Sequence, residues 1–124
     1  MEHKRIMIVD DSASMRSFII SCLEEIDNLS FFEAKTGFEA LKELPRGGIA
    51  LIISDINMPD INGLELLSFV KKSEYYKHIP VLMISTETKE EDLKRALTLG
   101  ADAYLTKPFS SQALKDEVKK LLRV

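Results

Sequence analysis

Ile49-Ala50-Leu51-Ile52-Ile53 is the longest apolar run in the chain, and it passes through Ser54 to a single carboxylate, Asp55. A short run without alternation reads as a strand covered on both faces, the pattern of a parallel sheet. Ile6-Met7-Ile8-Val9 repeats the pattern and stops at Asp10-Asp11. Behind it, Met15, Phe18, Ile19, Cys22, Leu23 and Ile26 recur at helical spacing, with Ser12 or Asp11 placed as the N-cap. The alternation continues along the chain. Leu29 to Ala34 is a weaker strand, followed by a short helix through Phe38, Leu41 and Leu44 that Pro45 and Gly47-Gly48 stop. After the turn-rich stretch Met58 to Gly63, Leu64, Leu67 and Val70 mark a third helix. Pro80 opens the strand Val81 to Ile84, and Leu93, Ala96 and Leu97 belong to a fourth helix ended by Gly100. Ala103-Tyr104-Leu105 is a short fifth strand, and Ala113, Leu114, Val118, Leu121 and Leu122 line the last helix. Five strands alternating with five helices predict an α/β, doubly wound, five-stranded parallel sheet. In such sheets the ligand site lies beyond the carboxyl ends of the strands.

Composition narrows the function classes. The 124 residues suit one domain, expected to span 1–124, with enough chain to bury a core without disulfides. Seventeen Lys and Arg against 20 Asp and Glu give a net charge of −3, which lacks the basic footprint of a nucleic-acid binder. Cys22 is the single cysteine, which points to a reducing, cytoplasmic setting. No apolar run is long enough to insert in a membrane, and the charged start Met1-Glu2-His3-Lys4-Arg5 is no signal peptide.

The strand ends carry the chemistry. Asp10 and Asp11 follow the first strand, Asp55 the third, Ser85 and Thr86 the fourth, and Thr106-Lys107-Pro108 the fifth. Carboxylates gathered at one sheet edge repel one another unless a cation sits among them, and hard oxygen ligands suit Mg²⁺. A lysine across the crevice balances phosphoryl charge, and a serine hydroxyl donates a hydrogen bond to it. Each residue alone has a plainer explanation. Asp10-Asp11 caps a helix, Asp55 stands in a turn, Ser85 bonds locally, and Lys107 is a solvated loop lysine. His3 and His78 read as surface residues and Met58 as packing. The argument for function is the coincidence, since four separate strand ends carry what one phosphoryl site needs.

Those residues resemble the receiver domain of two-component response regulators, and especially the single-domain chemotaxis receivers of the CheY type. The matching stretches are Ile8-Val9-Asp10-Asp11-Ser12, Ser54-Asp55-Ile56-Asn57-Met58-Pro59 with Asp60 to Leu67, Val81 to Ser85, and Gly100 to Phe109. The resemblance runs nearly end to end and implies a flavodoxin-like, CheY-like sheet of order 2-1-3-4-5. It implies that Asp55 is the nucleophile, phosphorylated from the phosphohistidine of a histidine kinase or a histidine phosphotransfer protein. Asp11 and Asp55 are then Mg²⁺ ligands by carboxylate, Asn57 by its main-chain carbonyl, and Asp10 largely through water. Lys107 pairs with the phosphoryl group, and its bond to Pro108 is expected to be cis. Ser85 closes on the phosphoryl oxygen, while Tyr104 exchanges between outward and inward rotamers in step. The output partner or domain is expected on the face of the fourth helix, fifth strand and fifth helix.

Two rival classes fit less well. A Mg²⁺-dependent phosphatase with an aspartyl-phosphate intermediate shows a second acidic residue two positions after the nucleophile, where Asn57 stands here. A flavodoxin-type flavin carrier needs a phosphate loop after the first strand, and Asp10-Asp11 repels a phosphate. The reading is therefore a signalling switch that catalyses its own phosphorylation, not a turnover enzyme. Thr86 stands where the family usually has a smaller residue such as alanine. Asn57 and Glu87, two positions beyond Asp55 and Ser85, flank the water path and resemble the pair of fast-resetting chemotaxis receivers, which implies a short-lived phosphoryl state, with Thr86 the opposing influence.

Overall fold

The computed structural model describes residues 3–86 and 90–124. The elements in order are β1 (Lys4–Val9), α1 (Ala13–Leu23), β2 (Leu29–Ala34), α2 (Gly37–Glu43), β3 (Ile49–Asp55), α3 (Gly63–Lys72), β4 (Val81–Ser85), α4 (Glu90–Leu99), β5 (Ala103–Thr106) and α5 (Ser111–Leu122). All strand pairs are parallel and the sheet order is β2-β1-β3-β4-β5, as expected. The helix expected through Leu44 is split. Pro45 cannot donate the next helical hydrogen bond, so α2 gives way to a 3₁₀ turn over Leu44–Arg46.

Strand parity divides the core into two layers. Ile6, Ile8, Leu51, Ile53, Leu82 and Ile84 face α1 and α5, where Ile19, Leu23, Leu114 and Val118 meet them. Met7, Val9, Ile52, Val81 and Met83 face the other way, onto Leu64, Leu67 and Val70 of α3 and Ala96 of α4. Burial on both faces is why β1, β3 and β4 have no polar alternation, and each buried aliphatic side chain contributes about 1.5–3 kcal/mol. The weaker β2 lies at a sheet edge.

Not every apolar residue on the helical stripes is inside. Phe18 on α1, Phe38 on α2, and Leu93 and Leu97 on α4 are exposed. On α4 only Ala96 is fully buried among the described residues, with Leu99 packed half-buried against the same layer. The helix starts follow local chemistry. Ser12, Thr36, Asn62 and Ser110 each accept a main-chain N–H of the first turn, and Asn62 with Glu65 completes a capping box. Of the two caps expected for α1, Ser12 serves. His3 and His78 are exposed, and Met58 packs on the α2–α3 side of the core. Among the described residues no helix is long and apolar enough to cross a membrane.

Candidate functional site

The site forms where β1 and β3 end side by side. Val9 is in register with Ser54, which brings the next residues, Asp10 and Asp55, to the same edge. Asp10 is held on every polar group. Its N–H donates to the Ala34 carbonyl at 3.1 Å, and its Oδ1 accepts the Ser12 N–H at 2.8 Å. Its Oδ2 accepts from Lys107 Nζ at 3.2 Å. Only 2% of Asp10 is exposed, so this carboxylate is a fixed part of the sheet edge.

Asp55 is set by its neighbours on both sides. The following Ile56 N–H donates to the Ile84 carbonyl of β4 at 3.0 Å, and the Ile56 carbonyl accepts the Gly63 N–H at 2.8 Å. A Cβ on Gly63 would lie 2.1 Å from the Asp55 carbonyl oxygen. Only glycine lets the start of α3 approach this closely, and that approach defines where β3 stops. Further along the same loop, the Asp60 carboxylate accepts the N–H groups of Gly37 and Phe38, tying the loop to α2.

Lys107 comes from the connection between β5 and α5, with its N–H donating to the Ser85 carbonyl at 2.8 Å. Its ammonium lies 3.6 Å from Asp55 Oδ1, between the two buried carboxylates. The Lys107–Pro108 peptide is cis, as expected. Asp11 is exposed and completes the group, since Asp10, Asp11 and Asp55 can offer oxygens within 4.8 Å of one another. Oxygens this close can share one small divalent cation, directly or through its water. Oxygen-only donors with net negative charge fit a hard divalent cation.

The carboxyl of Asp55 is held above the ordinary aspartate value. Burial is the largest cause, and the charges of Asp10 and Asp11 add to it, while Lys107 and the Asn57 N–H oppose it. The sequence reading put the weight on repulsion among the three carboxylates. Enclosure of Asp55 at the sheet edge outweighs it. A cation in the cluster would offset both.

The remaining expected residues fall around this center. Ser85 ends β4 one position beyond Ile84, the register partner of Asp55, and is fully buried. Asn57 and Thr86 are exposed, whereas Glu87 lies outside the described residues. Tyr104 pairs with Met83 across β4 and β5, and its ring packs on the core layer that contains Ala96. Its hydroxyl is buried and has no hydrogen-bond partner among the described residues. Two residues that shape the site were not singled out from the sequence. Gly63 closes the turn-rich stretch before α3, and Arg16 on α1 is only 7% exposed. No local signal distinguishes either, because what each touches is remote in sequence.

Known proteins resemble this chain in sequence and fold. The model of the response regulator receiver domain matches residues 6–119. The chemotaxis protein CheY of Pseudomonas aeruginosa is 37% identical over 117 residues, covering 94% of each chain. Chemotaxis protein CheY-3 of Vibrio cholerae is 35% identical over 120 residues, 97% of this chain and 92% of that one. Among solved structures, Vibrio cholerae chemotaxis protein CheY4 superposes with a TM-score of 0.88 at 32% identity, covering 97% of this chain and 99% of that one. The signal receiver domain of a histidine kinase from Syntrophus aciditrophicus gives a TM-score of 0.89 at 32% identity, over 97% and 90% of the two chains. Sheet order, acidic edge and sequence match lead to one assignment: the chain belongs to the response regulator receiver domains of two-component signalling and is similar to the CheY chemotaxis proteins.

Proposed function

We propose that this receiver is a phosphorylation-dependent switch in which Asp55 takes a phosphoryl group from the phosphohistidine of a histidine kinase or histidine phosphotransfer protein. The observation that carries the reading is the position of Asp55, 7% exposed at the end of β3, with two further carboxylates within 4.8 Å and an ammonium at 3.6 Å. In the transfer, an Asp55 oxygen forms the new bond to phosphorus, the bond from phosphorus to the histidine nitrogen breaks, and the imidazole leaves with the electron pair. Such a step needs mainly alignment and charge neutralisation. Asp11, Asp55 and the Asn57 main-chain carbonyl are assigned to hold Mg²⁺, with Asp10 acting through water. When bound there, Mg²⁺ would supply positive charge to offset the carboxylates and the phosphoryl group. Lys107, already between Asp10 and Asp55, has only to turn its ammonium to a phosphoryl oxygen.

The test uses a small acyl-phosphate donor and intact mass. With Mg²⁺ the chain gains one phosphate. With a chelator the rate falls by about a hundredfold or more, because a bound ion is worth several kcal/mol of transition-state charge. Equal uptake in chelator refutes the reading.

For the output we propose that Ser85 bonds the phosphoryl group and that Tyr104 moves with it, altering the α4-β5-α5 face toward a partner protein or output domain. A ligand shifts a distant surface only by its differential interaction with two states of that surface. The enclosed Tyr104 hydroxyl supports a ring able to leave this placement, since a buried hydroxyl without a partner among the described residues costs about 1–3 kcal/mol, which an outward swing relieves. On phosphorylation, the largest remote amide shifts are expected in α4, β5 and the start of α5. Largest remote shifts on α2 would place the output face elsewhere.

A further inference from the structure

Arg16 is a buried charge for which phosphoryl transfer, as described, has no use. It stands in the first turn of α1, and an arginine this enclosed is retained only where its donors are matched. Its Nη1 donates to the Asp10 main-chain carbonyl at 2.7 Å, and its Nε donates to Glu33 Oε1 at 3.0 Å. Glu33 precedes Ala34 on β2, and the Ala34 carbonyl accepts the Asp10 N–H. Both main-chain groups of Asp10 are therefore anchored to the end of β2, the N–H directly and the carbonyl through Arg16.

The consequence falls on Asp11. The Asp10 carbonyl lies in the same planar peptide unit as the Asp11 N–H, so holding one sets the direction in which the other leaves the turn. Asp10 and Asp55 are placed by burial and by Lys107. Asp11 is exposed, and the main chain before it is what locates its carboxylate. We infer that Arg16 is a positioning residue for the cation site: by holding the Asp10 carbonyl against β2, it aims Asp11 at Asp55. The guanidinium suits this task because its planar fork reaches a carbonyl and a carboxylate at once, whereas a lysine offers a single point of charge. The inference rests on the proposed Mg²⁺ site.

The competing explanation is that Arg16 only holds α1 to β2, stabilising the fold without affecting the cation. Titration calorimetry of the metal-free chain with Mg²⁺ separates the two, with urea midpoints measured on the same proteins. Arg16→Met is expected to bind Mg²⁺ about tenfold more weakly, the low end of what outer partners of metal ligands contribute. Arg16→Lys is expected between parent and Arg16→Met. Glu33→Gln, which leaves Arg16 in place but removes its charged anchor, is expected to weaken binding less than Arg16→Met. In metal-free spectra the Asp11 amide resonance should move in Arg16→Met, which a loss confined to helix docking does not require. A lowered urea midpoint with parent-like Mg²⁺ affinity in Arg16→Met overturns the inference. Should that variant not fold, parent-like affinity in both Arg16→Lys and Glu33→Gln overturns it instead. A parent chain that binds no Mg²⁺ overturns the proposed site and this inference together, whereas a parent that binds it beside unaffected variants overturns this inference alone.

Discussion

An Asp55→Asn protein is expected to take up no phosphate from an acyl-phosphate donor and, in chelator, to unfold at a higher denaturant concentration than its parent. The first effect follows from chemistry, since the amide has no oxygen able to form the acyl phosphate. The second follows from Asp55 being held above its ordinary value of 3.8, by burial first and by Asp10 and Asp11 after it. A raised folded-state pKa means that the native chain binds more protons than the unfolded chain. Stability is then greatest below the unfolded value and declines as pH rises through the folded one. The parent and Asp55→Asn should therefore be alike in strong acid and diverge as the parent's Asp55 ionises. At neutral pH the mutant should have the higher midpoint. Mg²⁺ reverses the order, because a ligand at a hundred times its Kd adds about 2.7 kcal/mol to a protein that binds it. Urea midpoints across pH, with chelator and with Mg²⁺, check the prediction. A parent more stable than Asp55→Asn in chelator at neutral pH would show that the Lys107–Asp55 pair outweighs burial.

Gly63→Ala should be as damaging as the loss of a large core side chain. The added methyl would sit 2.1 Å from the Asp55 carbonyl oxygen and 2.8 Å from Ile56 Cα, both backbone atoms that cannot rotate away. Either α3 retreats, disturbing Leu64, Leu66 and Leu67 in the core, or the end of β3 shifts and carries Asp55 with it. Overpacking typically costs about 1–3 kcal/mol, and contact with backbone on both strand and loop puts this site at or above the top of that range. Chemical denaturation should show the lowered midpoint. Mg²⁺ titration of the protein that remains folded should show weaker binding, since β3 presents Asp55 to the cluster. A midpoint within about 0.5 kcal/mol of the parent, the usual range of a neutral surface change, would mean that the loop absorbs the methyl without moving the strand.

The two substitutions also separate what could be read from the chain from what could not. Ile6 to Val9 and Ile49 to Ile53 announce buried parallel strands because burial on both faces removes the need for polar alternation. Asp10, Asp11, Asp55 and Lys107 were legible as site candidates for the same reason, since each ends a strand or follows one within two residues. In a parallel sheet all carboxyl ends lie on one edge, so sequence position translates into location. The caps at Ser12, Thr36, Asn62 and Ser110 are equally local, each acting within its own first helical turn.

What only the tertiary structure decided involves contacts between distant segments. The exposure of Phe18, Phe38, Leu93 and Leu97 depends on how far each helix face is covered by its neighbours, which periodicity does not state. That Asp55 is raised more by enclosure than by repulsion depends on the closeness of β4 and α3 around it. The demands on Gly63 and Arg16 come from Asp55, Asp10 and Glu33, residues that become neighbours only when β2, β1 and β3 lie side by side. The sequence by itself determined which groups reach the sheet edge. Packing across the sheet decided how tightly each is held there, because burial and backbone approach are properties of the assembled layers and not of any one segment.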